Sequence, residues 1–111
     1  MSNIEKYNDM EDQFFHNVFK VRDRIAKLQQ WKKEYLQNRY EYPSWTTKSG
    51  KKIPVYKMKT GHLKCALRYL QHLNAEKHED WITLFENELQ YRELIRLEEL
   101  DDHYTEIIAV L

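Results

Sequence analysis

The chain has little to turn with. Its 111 residues hold two glycines, Gly50 and Gly61, and two prolines, Pro43 and Pro54, whereas an all-β fold needs turn residues every ~8–12 positions. Helix must therefore dominate. A single cysteine, Cys65, excludes an internal disulfide and suits a reducing compartment. No apolar run approaches the roughly 18 residues of a membrane span, and the charged-then-apolar pattern of a signal peptide is missing. These absences lead us to expect a cytoplasmic protein without membrane contact. At this length one domain, residues 1–111, is expected, with a core small enough that a second copy could complete it, hence a homo-oligomer.

Catalytic signatures are scarce as well. There is no phosphate loop and no dinucleotide fingerprint, and no paired carboxylates accompany the basic middle of the chain. His62 stands three residues before Cys65, which on a helix does not aim the imidazole at the thiol as a base. His62, Cys65, His72 and His78 are the only soft metal ligands in one neighbourhood; structural zinc wants four at tighter, paired spacings. The expectation is a protein that is not an enzyme, with no metal and no cofactor, and with Cys65 as a small buried side chain.

What is present is an uneven distribution of charge around a net of zero. Residues 1–40 carry eight Lys/Arg against six Asp/Glu, residues 41–73 carry seven against Glu41 alone, and residues 74–111 carry three against eleven. The three segments are thus +2, +6 and −8. A basic middle beside an acidic end implies an anion site, head-to-tail pairing of chains, or an acidic arm folded over the basic segment.

Periodicity divides the chain into a mainly α fold. Phe14, Val18, Val21, Ile25, Leu28 and Tyr35 follow spacings of 3, 4 and 7, which predicts a long N-terminal helix over residues 8–40, capped by Asn8 or Asp9. At 1.5 Å per residue such a helix is on the order of 45 Å long and needs a long antiparallel partner or a second chain. Phe14, Phe15 and Phe19 read as core, with an exposed interface patch as the alternative. Residues 42–57 read as a short β-hairpin in which Gly50 supplies a positive φ, Trp45 packs across on Ile53 or Val55, and Pro54 marks an edge. Thr60 is a candidate N-cap for a central helix over residues 60–73, ended by Asn74. A C-terminal helical arm over residues 76–111 completes a small helical bundle. Its apolar stripe shifts near Tyr91, so the arm either contacts two surfaces or breaks at Asp101-Asp102, and its apolar end, residues 107–111, needs a dock.

Two candidate surfaces emerge. The amides that open the central helix at Gly61 and His62 are free donors with a favourable dipole, and Lys57, Lys59, Lys64 and Arg68 surround them. Tyr42, Trp45 and Tyr56 offer aromatic faces in the same stretch, so a small anionic nucleotide could find both phosphate contacts and base stacking there. The plainer reading makes the lysines a solvated loop and the aromatics core. The second surface is acidic: Glu93, Glu98, Asp101 and Asp102 could imitate the spacing of phosphates and occupy a basic channel on a partner protein. The −8 arm argues against direct binding to nucleic acid, which rests on neutralising phosphates.

The run Trp45-Thr46, Gly50, Ile53-Pro54-Val55, Met58, His62-Leu63, Ala66-Leu67 and Leu70 resembles a stretch found in small, uncharacterised bacteriophage accessory proteins. Such proteins tend to carry Asn where this chain has Cys65, so any polar role of that Asn is absent here. The resemblance names no activity; it implies a phage-type protein that acts in the bacterial host cell and counters a host defence by binding. The reading carried forward is a non-enzymatic inhibitor that sequesters an anionic nucleotide-like ligand. The alternative is an inhibitor that occludes a host protein's basic surface with the acidic C-terminal helices.

Overall fold

The computed structural model describes the backbone of residues 3–111 and the side chains of residues 10–111. Its elements are a helix α1 over Asn3–Asn38, strands β1 over Ser44–Thr46 and β2 over Lys52–Pro54, a 3-10 turn at Val55–Lys57, helix α2 over Thr60–Asn74 and helix α3 over Glu79–Val110. The fold is the mainly α bundle that the periodicity predicts. At 36 residues α1 is longer than expected, because nothing between Asn3 and Asn8 breaks a helix; Asn8 and Asp9 are interior positions and not caps. No helix among the described residues is long and apolar enough to cross a membrane.

The strands pair antiparallel, with Trp45 opposite Ile53, and the loop closes through the Thr47 N–H on the Lys51 carbonyl at 2.8 Å and the Gly50 N–H on the Thr47 carbonyl at 2.9 Å. Gly50 has φ +84°, the left-handed conformation that the tight turn requires and glycine adopts without a Cβ penalty. Thr60 is the first residue of α2, not its cap: extended Lys59 precedes it, and no side chain among the described residues caps this end. Its hydroxyl accepts instead from Arg92 at 3.0 Å. Asn74 does end α2, its side-chain oxygen accepting the Lys77 N–H at 3.3 Å, and the turn so formed delays α3 to Glu79.

α3 runs unbroken past Asp101-Asp102. The Asp101 side chain binds Arg22, and its carbonyl accepts the Thr105 hydroxyl, so this residue does not cap a new helix. The chain divides into two compact units. The first joins residues 1–30 to residues 94–111, the second spans residues 31–93, and the division at Glu93/Leu94 accounts for the stripe shift near Tyr91.

In the second unit the core is Val55, Met58, Leu63, Ala66, Leu70, Ile82 and Phe85, with Trp45, Ile53 and Trp81 packed on it. The hairpin meets α3 through rings: Trp45 lies edge-on to Trp81 and Phe85, with centroids 5.1 and 5.2 Å apart, a geometry that aromatic quadrupoles favour. In the first unit Val18, Leu28, Leu94 and Leu97 are buried, and Phe14 lies edge-on to Tyr104 at 5.5 Å. The core expected at Phe15 and Phe19 is absent. These rings are 48 % and 70 % exposed, because the helix stripe facing α3 runs through Phe14 and Val18.

Candidate functional site

The second unit is organised around a charge that sequence reading missed. Glu88 is fully buried on α3, four residues from Arg92 and three from Phe85, so a carboxylate stands within an apolar helical stripe. Its oxygens accept the Tyr35 hydroxyl at 2.5 Å, Arg39 at 3.0 and 2.6 Å, and Arg92 at 3.2 Å. These donors use about all the acceptor positions of a carboxylate. Burial would raise the pKa of Glu88, but the hydrogen bonds from Arg39 and Tyr35 and the charges of Arg39 and Arg92 outweigh it and hold the carboxyl below its ordinary range. Burial, and then the hydrogen bond to Glu88, push the Tyr35 phenol well above its ordinary value. The hydrogen bond to Glu88 likewise keeps Arg39 firmly charged.

This network reaches the start of α2. Besides holding Glu88, Arg92 donates to the Thr60 hydroxyl at 3.0 Å and to the Tyr56 carbonyl at 3.3 Å, which brace both ends of the segment carrying Lys57, Met58 and Lys59. The Arg39 guanidinium lies 4.4 Å from the Tyr91 ring centroid and 5.7 Å from that of Tyr56, so Tyr56 joins the arginine cluster. Tyr42 packs beside Tyr35 at 5.9 Å. Neither tyrosine enters the depressions described next.

Beside this braced segment lies a depression of 380 Å³ lined by Lys51, Lys52, Lys57, Lys59 and His62 over a floor of Ile53, Pro54 and Met58. It brings Lys57, Lys59 and His62 together as the sequence suggested. It also adds Lys51 and Lys52 from the hairpin, whose sequence positions gave no indication that β2 faces the start of α2. Gly61 is open, since a Cβ there would meet nothing within 4 Å. The first amides of α2 have no partner within the helix, and the positive end of its dipole falls in the same neighbourhood. Lys64 and Arg68 stand exposed one turn apart on α2 and line neither this depression nor the next.

A second depression, of 720 Å³, is lined by Trp45, Thr46, Thr47, Lys48, Ser49, His62, Cys65, Ala66 and Tyr69. His62 belongs to both. Cys65, expected as a buried side chain, is an exposed free thiol, because the buried face of α2 runs through Leu63, Ala66 and Leu70. Comparison with protein-family models, curated proteins and solved structures returned no match. The site therefore has to be read from its own chemistry.

On the acidic side, Asp101 is bound to Arg22 at 2.7 Å, and Glu93 and Glu98 also have interaction partners. Asp102 is exposed. Among the described residues no group of three or more His, Cys, Asp or Glu is arranged to hold a metal ion.

Proposed function

We propose that this protein binds a small polyanion in the lysine depression between β2 and the start of α2. The convergence of Lys51, Lys52, Lys57, Lys59 and His62 on one concave, apolar-floored surface carries this reading. Lysine ammonium groups attract phosphate as point charges, and the apolar floor lowers the local dielectric and strengthens that attraction. The Arg92 braces pre-order the loop, so less entropy is lost when a ligand seats. Capture of an anion needs only such fixed positive charges. In the phage-type setting implied by the resemblance, capture of an anionic nucleotide-like signal inhibits a host defence by sequestration. Occlusion of a basic partner surface by Glu93, Glu98, Asp101 and Asp102 draws less support, because Asp101 is already committed to Arg22.

The test is Lys59→Glu, read by isothermal titration with inorganic tripolyphosphate and by circular dichroism. The expected result is loss of binding with an unchanged spectrum and melting temperature. Unchanged affinity in a folded variant would overturn the reading.

A further inference from the structure

We propose that the polyanion is carried on a planar ring: the ligand is a free nucleoside polyphosphate whose base lies in the Trp45–Tyr69 depression while its phosphates meet the lysines. This inference rests on the anion site proposed above. Its own support is the adjoining surface.

Tyr69 is 57 % exposed and projects from α2 one turn beyond Cys65 and two beyond His62, into the lining of the 720 Å³ depression. Among the described residues, neither its ring nor its hydroxyl has a partner inside the protein. Trp45 lines the same surface from β1. Its packing against Trp81 and Phe85 is edge-on, and its indole N–H donates to no described group, although no buried side-chain nitrogen or oxygen lacks a partner. That nitrogen is therefore not sealed inside the core. An open aromatic ring, a second ring with a spare donor, and the Thr46 hydroxyl make a surface suited to a base, which has both a π face and a hydrogen-bonding edge.

His62 is the junction. It lines both depressions, so a ligand bridging them places its linking sugar beside the imidazole, with base to one side and phosphates to the other. An inorganic polyanion would leave the aromatic depression empty. A nucleic-acid strand would need a basic track continuing along the backbone, whereas four lysines converge here on one depression of 380 Å³.

The experiment is isothermal titration of the full chain and of Tyr69→Ala with three probes: ATP, inorganic tripolyphosphate and a short single-stranded oligodeoxynucleotide. Stacking on one aromatic side chain is worth on the order of a tenfold change in affinity. The wild-type protein is expected to bind ATP about tenfold more tightly than tripolyphosphate, and Tyr69→Ala to erase that preference while leaving tripolyphosphate binding unchanged. Equal wild-type affinity for the two phosphates would overturn base recognition and leave the anion site standing. Binding of neither would overturn both proposals, and tighter binding of the oligonucleotide than of ATP would reassign the surface to nucleic acid. Because Tyr69 is exposed, the variant is expected to fold; the wild-type ratio decides the question even if it does not.

Discussion

Arg22 of α1 and Arg39, just past its end, each pair with a carboxylate of α3, one pair in each compact unit, and the two pairs differ in almost everything but chemistry. Arg22 and Asp101 meet at 2.7 Å with side chains 47 % and 28 % exposed, whereas Arg39 and Glu88 meet at 2.6 Å with side chains 14 % and 0 % exposed. Water solvates the first pair nearly as well apart as together, so its net contribution is small. The second pair gave up that hydration, and is stable only because Tyr35, Arg39 and Arg92 together satisfy the carboxylate. Its value lies in what depends on it: the arginine that completes the network also holds Thr60 and the Tyr56 carbonyl. An exposed pair decorates a helix surface; a buried one specifies how a loop is held.

The sharpest way to break this contrast is Glu88→Ala, which leaves two arginines and a phenol without their acceptor. The expected loss is about 3–5 kcal/mol of unfolding free energy, measured by urea denaturation. Removing one donor should cost less: Tyr35→Phe is expected to lower stability by about 1.5–3 kcal/mol, the range for a hydrogen bond to a charged group.

The same carboxylate predicts a pH dependence. Its folded pKa lies below the unfolded value, so the folded state binds fewer protons. The stabilisation is complete above the ordinary glutamate range, about 4.3 in the unfolded chain, and is lost as pH falls through the folded pKa. Melting temperatures taken from pH 7 down to pH 3 should fall more steeply for the wild-type protein than for Glu88→Gln. Equal slopes would remove the distinction. The smallest effect belongs to the exposed pair: Asp101→Asn is expected to cost at most about 1 kcal/mol, and less in high salt. A loss as large as that of Glu88→Ala would show that exposure does not separate the two pairs.

Much of this architecture was legible in the residues. Heptad spacing from Phe14 to Tyr35 gives a helix; the scarcity of glycine and proline outside residues 42–61 confines the turns; Gly50 takes the left-handed turn conformation. Even the division of α3 between two surfaces showed as a shift of stripe near Tyr91. The signal for Glu88 was also there, as an acid at helical spacing from Trp81 and Phe85 on an apolar face, with Tyr35 in the last turn of α1 and Arg39 four residues on. Counted by charge alone, Glu88 is one more acid of the −8 arm.

The sequence by itself determined the elements, because helix, turn and amphipathic face follow from backbone sterics and from neighbours three or four residues apart. Only the tertiary structure decided which side chains meet across the chain. It put Glu88 against Tyr35 and Arg39, 53 and 49 positions away, set the Tyr56 ring between Arg39 and Lys57 at 5.7 and 5.8 Å, and left Phe15, Phe19 and Cys65 exposed. It also turned β2 so that Lys51 and Lys52 join Lys57, Lys59 and His62 around one depression. Periodicity carries no information about such pairings, since it says which face of an element is apolar but not which residue lies opposite.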